Sequence, residues 1–412
     1  MSASPNLGIV HDWIAPYGGA EQQLVQMAQL YPDADIYTLF DFRGDDHQVE
    51  LGQTKLHTSA LDKWPLVEKY YQSLLLLAIR EVEKFDLVDH DVVFSISSAL
   101  AKGAITHAGQ SHLAYVNSPA RYAWDLHAEY LDLLGGHFAP LKRLIAHEMF
   151  HRFRKWDMRT PQSIDLFLAN SKYIAQRIWK TYRRRSYVLY PPVDVTEFQL
   201  NEAGRDEFYV CASRLVPYKR TDLIVQAFNQ LPDRKLIVVG AGPELAKIKA
   251  LAGPNIEVVG RQPLAEMVET FQKARALVFA AQEDFGIVPV EAQACGTPVI
   301  ALSHGGTAET IRPLGLVDRP TGVHFAKQTI DDLIDAIRKF EAGEHEFDPA
   351  NCRRNAMRFS NERFKAEVAA LVARANDRNF REENILEDNE FSQQFGGFLD
   401  TAGETGNCHF KG

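Results

Sequence analysis

The sequence predicts an α/β fold of two doubly wound domains, each a parallel sheet covered by helices on both faces. Two observations carry that prediction. Short, nearly continuous apolar runs alternate with helical patterns, as parallel strands buried on both sides require. The alternation runs twice, interrupted at Tyr190-Pro-Pro-Val193, where two prolines in succession enforce an extended link. Ligands of such sheets sit at the carboxyl ends of the strands, so two facing domains would enclose a cleft.

The first series opens with a strand over 7–10, a glycine turn and a helix over about 20–30. Strands at 36–40, 92–96, 112–116, 166–169 and 187–189 follow. The second series places strands at 208–212, 236–239, 256–259, 276–280 and 299–302, each leading into a helical pattern. After 208–212, for example, Leu223, Ile224, Ala227, Phe228 and Leu231 recur at helical spacing. A last helix covers about 361–375. The remainder turns acidic and then rich in Gly, Asn, Gln and Thr, the composition of a poorly ordered tail. The expected division is 1–193, 194–358, a C-terminal helix over 359–378 and a disordered tail over 379–412.

With 412 residues, 46% hydrophobic and 24% charged, the chain has the composition of an ordinary globular protein. A net charge of −9 argues against general nucleic-acid binding, which wants a basic surface. Cys211, Cys295, Cys352 and Cys408 show neither metal-ligand spacing nor a disulfide framework, which suits a reducing cytoplasm. Residues 1–6 lack the features of a signal peptide. The apolar run at 74–79 is far too short to span a bilayer.

The chemistry concentrates in two places. Residues 281–291 read A-Q-E-D-F-G-I-V-P-V-E, with Glu283 and Glu291 flanking a glycine and a proline that look like the opening of a helix. A loop ending in Gly286 at a helix start offers free backbone N–H groups, a ready anion site. Upstream, Arg214 and Lys219 sit in the turn after the strand at 208–212. A planar fork and a point charge together suit a diphosphate. The pattern points to a phosphate-bearing ligand that also has hydroxyl groups to hold.

These segments carry a resemblance. His11-Asp12 with Gly18-Gly-Ala-Glu21, Ser213-Arg-Leu-Val-Pro-Tyr-Lys-Arg220, Glu283-Asp-Phe-Gly-Ile-Val-Pro-Val-Glu291, and Gly305-Gly306 with Glu309 resemble family 4 of the retaining nucleotide-sugar glycosyltransferases. The likeness covers roughly 7–375. Residues 115–125 and Asn170-Ser171 with Tyr190-Pro-Pro-Val193 resemble the mannosyltransferase branch that builds bacterial surface polysaccharides.

The resemblance implies a GT-B architecture of two Rossmann-like domains. It assigns Arg214 and Lys219 to the donor diphosphate. The amides of Phe285, Gly286, Ile287 and Val288 would meet the donor's phosphate and sugar. Glu291 would receive the ribose hydroxyls from the first turn of its helix, and Glu283 would lie beside the donor sugar. Gly18 and Gly19 would approach the phosphate from the other domain, and Gly260 and Arg261 would lie near the nucleobase. Relatives carry a histidine where this chain has Asn117, which binds a hydroxyl but carries no proton near neutral pH. His11, His107 or His127 would have to substitute, unless each is structural. Asp12 either orients the acceptor or an imidazole, or closes the strand end.

The implied reaction moves a sugar, most plausibly mannose from GDP-mannose, to a polysaccharide or lipid-linked acceptor, with no metal and no cofactor beyond the donor. Two readings of the basic amphipathic stretch at 142–159 stay open: docking at the inner face of the plasma membrane, or a core-packed helix with a solvated face. The apolar stretch at 64–79 reads as a helix packed in the core or between domains, with acceptor-lipid contact as its alternative. Competing functions are transfer from another donor, a UDP- or ADP-sugar, a sugar-nucleotide epimerase or hydrolase, and a silent nucleotide-sugar-binding scaffold. Gly240-Ala-Gly242-Pro resembles the start of a dinucleotide fingerprint, but it lacks the third glycine and the acidic residue that ends the next strand.

Overall fold

The computed structural model describes residues 5–15, 18–43, 49–132, 139–200, 204–377, 379–388 and 391. The chain divides into two units, one comprising Met1–Pro191 with Phe364–Gly412 and the other Pro192–Arg363. The break falls between the two prolines.

The first unit is built on seven strands: β1 (Leu7–His11), β2 (Asp35–Thr38), β3 (Leu56–Thr58), β4 (Val92–Ser97), β5 (Ser111–Val116), β6 (Leu166–Ala169) and β7 (Tyr187–Val188). All pair in parallel, in the order β3-β2-β1-β4-β5-β6-β7. Chain direction across the sheet reverses between β1 and β4, the switch point where doubly wound sheets hold ligands. β1 and β4 are buried at every position, which is why their sequences show no polar alternation.

Helix Gly19–Leu30 covers one face of this sheet with Leu24 and Met27. Helix Asn361–Ala375 packs there too, through Phe364, Val368, Leu371 and Val372. The separate C-terminal helix expected from sequence is therefore part of the first unit's core. The start of the expected disordered tail, at the described residues 379–388 and 391, is ordered instead. Phe380, Ile385, Leu386 and Phe391 are buried in the same core. Arg374 binds the Asn384 carbonyl at 2.9 Å and the Asp388 carboxylate at 2.6 Å. Four apolar side chains suffice to anchor a segment whose average composition is polar; residues 392–412 lie outside the described residues.

The other face is packed by Phe150, Phe153 and Trp156 of helix Ala139–Asp157 and by Ala78, Ile79 and Val82 of helix Leu75–Val82. The stretch 64–79 is not one helix. Leu66 adopts φ +62 and separates short helical turns before the Leu75 helix begins.

The second unit has β8 (Phe208–Ala212), β9 (Lys235–Val239), β10 (Ile256–Gly260), β11 (Ala276–Phe279), β12 (Val299–Leu302) and β13 (Gly322–Phe325). All are parallel, in the order β10-β9-β8-β11-β12-β13, so the switch point lies between β8 and β11. The two motifs found in the sequence are the segments that leave these two strands. Strands β3 and β13 were not expected. Each is a sheet edge of three or four residues, too short for a periodic signal.

Candidate functional site

The turn after β8 is seated by backbone. Ser213 N donates to the Val239 carbonyl at 3.1 Å and Leu215 N to that of Ala241 at 2.9 Å. Gly240 and Gly242 lie at φ +143 and +155, and a Cβ on either would overlap the carbonyls of Ser213 or Leu215. The glycines of the apparent dinucleotide fingerprint thus serve close packing of this turn. Leu215 and Val216 are buried, while Arg214 between the strand and them is exposed and makes no ion pair among the described residues. A 3-10 turn, Pro217–Lys219, follows. The Lys219 ammonium pairs with Glu283 and lies over the rings of Tyr218 and Phe279, at 5.4 and 5.7 Å. Two aromatic faces and a carboxylate fix one flexible side chain in place.

Glu283 belongs to the segment leaving β11. Its backbone forms a parallel bridge with Gly305, and its carbonyl accepts from Gly306 N at 2.8 Å. A Cβ on Gly305 would overlap the Glu283 carbonyl, and one on Gly306 the backbone of Phe285. Only glycine lets these two loops touch. The Phe285 ring is buried edge-on to Phe359, with centroids 5.3 Å apart, so only its backbone is available to a ligand. Gly286, at φ +87, caps helix Ile287–Ala294. The amides of Ile287 and Val288 open that helix and have no acceptor within it. Pro289 is the third helical residue rather than the first. Lys219 and the Gly286 turn are thereby brought together at the switch point.

Glu291 is in the second helical turn, not the first as expected. It is 9% exposed and forms no ion pair among the described residues. Burial, with a smaller contribution from the Asp194 carboxylate, pushes its pKa up to about 7. Below about pH 4.5 the folded and unfolded states both hold the proton. Between 4.5 and 7 the unfolded chain loses it first, so stability falls as pH rises, by roughly 3 kcal/mol in all. Melting temperature should therefore decline from pH 5 to 8, and Glu291→Gln should flatten the decline. An unchanged slope in that variant would refute the assignment.

Gly260 ends β10 at φ +79 next to exposed Arg261. Two strand spacings separate β10 from β8, about 10 Å, so this pair is apart from the Lys219–Glu283 cluster.

In the first unit, Asp12 follows the end of β1 and is 3% exposed. Its Oδ2 accepts from the amides of Ser98 and Ala99 at 2.5 and 2.8 Å, and its Oδ1 from Leu100 and Ala101 at 2.7 and 2.5 Å. Four amides occupy the carboxylate, so of the two roles the sequence left open for Asp12 the structure favours closing a strand end, here the turn after β4. Asn117 follows β5. Its Oδ1 accepts from Gln23 Nε2 at 2.8 Å, and its carbonyl from Asn170 Nδ2 at 2.9 Å. Its own Nδ2 is enclosed with no partner among the described residues, as is Gln23 Oε1. Gly18 caps helix Gly19–Leu30 in an extended conformation. His11 is buried and pushed down to about 4, by desolvation against the opposing pull of Asp12, and so stays neutral. His107 lies in the turn before β5, at the far end of the sheet, and His127 approaches His147 at 3.4 Å.

Sequence reasoning missed Gln23 and a buried ion pair. Lys102, 1% exposed, reaches Asp157 at 2.6 Å and the Ala99 carbonyl at 2.7 Å. Asp157, fully buried, also accepts from Trp124 Nε1 and the Tyr182 hydroxyl at 2.8 and 2.9 Å. The one signal was a lone lysine inside the apolar run 99–104.

Residues 193–359 match the family model of glycosyl transferases group 1. Similar to the chain is a GDP-mannose-dependent monoacylated alpha-(1-6)-phosphatidylinositol monomannoside mannosyltransferase of Corynebacterium glutamicum, 36% identical over 150 residues, which are 32% of this chain and 39% of that protein. A D-inositol 3-phosphate glycosyltransferase of Mycobacteroides abscessus is 28% identical over 197 residues, 42% of this chain and 43% of that protein. The chain thus spans about two fifths of the length of these curated relatives. Among solved structures, Anabaena HepE in complex with UDP and glucose matches with a TM-score of 0.64 at 17% identity, covering 89% of this chain and 99% of that one. WaaG, a glycosyltransferase involved in lipopolysaccharide biosynthesis, matches at 0.59 and 16%, with coverages of 89% and 99%. The two parallel-sheet units are those of the GT-B fold. The matched segment contains Arg214, Lys219, Glu283, Gly286 and Glu291.

Proposed function

We propose that the chain is a retaining, family 4 glycosyltransferase that moves mannose from GDP-mannose to a saccharide or lipid-linked acceptor. The observation that carries the reading is the Lys219 ammonium held against the Glu283 turn, beside the amides that open the Ile287–Ala294 helix and have no acceptor within it. Breaking a sugar–phosphate bond leaves negative charge on the departing diphosphate. Lys219, Arg214 and these amides supply positive charge and N–H groups for it without a metal. Glu283, engaged by Lys219, serves as a binding group beside the donor sugar rather than as a nucleophile. The acceptor oxygen attacks on the face the diphosphate leaves, its proton passing to the leaving phosphate. Asn117 and Gln23 bind hydroxyl groups.

The name of the corynebacterial relative supports mannose and GDP. Thermal-shift titration with GDP-, UDP- and ADP-sugars, followed by product analysis in EDTA, tests the assignment. Stabilisation grows with ligand concentration over affinity. A response to UDP-sugars alone would remove GDP-mannose, and isomerised donor or free sugar as sole product would remove transfer. Ribose hydroxyls donating to Glu291 favour its charged form, so nucleotide binding near pH 6 should release a proton. Calorimetry in buffers of different ionisation enthalpy reads it.

We place the enzyme in the cytoplasm, docked peripherally on the inner face of the plasma membrane. On helix Ala139–Asp157, Leu141, Leu144 and Ile145 are exposed at 55%, 66% and 60%, next to Lys142 and Arg143. Apolar side chains beside cations suit an anionic interface. No described helix is long and apolar enough to cross a membrane. Flotation with anionic liposomes at low salt should carry the protein upward, and a Leu144→Ser/Ile145→Ser variant should stay behind; no flotation of the wild type would end this docking reading.

A further inference from the structure

Of fourteen histidines, His47, His137 and His409 lie outside the described residues. His11 and His112 are buried and pushed down to about 4 by desolvation. His57 and His90 form part of a cluster with Asp35, Tyr37 and Asn6, and His107 precedes β5. His127 approaches His147, which lies with His151 on the Ala139–Asp157 helix. His324 approaches the Thr307 carbonyl from within β13, and His345 lies in the 3-10 turn Glu344–Glu346. Among the described residues, His304 alone is exposed in a turn directly following a strand.

That turn is held on every side. Ser303 N donates to the Phe325 carbonyl at 2.9 Å. The Thr307 hydroxyl lies 2.6 Å from the Leu302 carbonyl and 3.1 Å from that of His304 itself. The next two residues, Gly305 and Gly306, are the ones that lock onto Glu283 and Phe285. A Cβ on Gly286 would meet the Thr307 methyl at 3.4 Å. His304 is therefore one residue from backbone contact with the Glu283 segment, on a rigid turn alongside the amide-bearing helix start. A pinned backbone is what a positioned donor needs.

We propose that His304 is a catalytic residue of the donor site, its ring N–H donating a hydrogen bond to a leaving diphosphate oxygen. The inference rests on the glycosyltransferase reading and adds a group that the diphosphate pattern of Arg214, Lys219 and helix amides does not contain. The bond strengthens as charge develops on the leaving oxygen, so it acts on kcat more than on KM. No covalent step involves the imidazole.

Two measurements test it. His304→Leu should lower kcat on the order of 100-fold with KM changed less than threefold, and His304→Asn, which keeps an N–H donor, should recover part of the rate. Independently of turnover, GDP added to imidazole-¹⁵N-labelled protein should shift the His304 ring resonances, identified by their loss in His304→Leu. If GDP raises the melting temperature while those resonances stay fixed, or if His304→Leu turns over within threefold of wild type, the inference is overturned and the transferase reading stands. If GDP, UDP and ADP all fail both to stabilise the protein and to move the ring, both are overturned.

Discussion

Replacing Lys102 with alanine should destabilise the first unit by about 3–5 kcal/mol, the cost of stripping one partner from a buried ion pair. Asp157 has no exposure and would keep its charge with only the Trp124 and Tyr182 donors to hold it. The Ala99 carbonyl would lose its donor as well. That carbonyl belongs to the turn whose amides bind Asp12, so the damage reaches the carboxyl end of β4. All five tryptophans, Trp13, Trp64, Trp124, Trp156 and Trp179, lie in the first unit. Tryptophan fluorescence in guanidinium therefore follows this unit even where the whole chain does not unfold in two states. Replacing Lys102 by methionine and Asp157 by leucine together should recover much of the loss, since neither charge is then stranded. A Lys102→Ala midpoint equivalent to less than 1 kcal/mol would show that the pair is solvated in solution.

Lys219→Ala should lower kcat by about 10²–10³-fold, the usual effect of removing one preorganised group that stabilises developing negative charge. The side chain is fixed by Glu283, Tyr218 and Phe279, so little is spent ordering it when the donor binds. Lys219→Arg should recover only part, because a planar fork does not reproduce a point charge in that aromatic seat. Glu283→Gln separates two roles. If Glu283 acts mainly by holding Lys219, the Lys219→Ala/Glu283→Gln double variant will be no slower than Lys219→Ala, a coupling that the double-mutant cycle reads directly. Steady-state rates within threefold of wild type for Lys219→Ala would refute the leaving-group role.

Eleven of the thirteen strands were legible because a strand buried on both faces must be apolar at nearly every position, as β1 and β4 are. The edge strands β3 and β13 were not, since three or four residues contacting one neighbour need no such run. In the candidate site, Arg214, Lys219, Glu283 and Gly286 were legible because turn chemistry is local: a glycine at φ +87 before a helix and charges just after a strand are written in consecutive residues. The role of Asp12 stayed open for the opposite reason. Its partners, the amides of 98–101, are some ninety residues away, and nothing at position 12 announces them.

Local pattern thus prescribed two parallel sheets, the linker prolines and the loops that hold anion-binding chemistry, because each depends on burial periodicity or on neighbours in sequence. The seat of Lys219 against Glu283, the use of Asp12, the buried Lys102–Asp157 pair and the place of His304 beside the Glu283 loop came from packing. Those contacts join residues far apart along the chain, and their energies arise only when strand order and loop closure have removed the water between them.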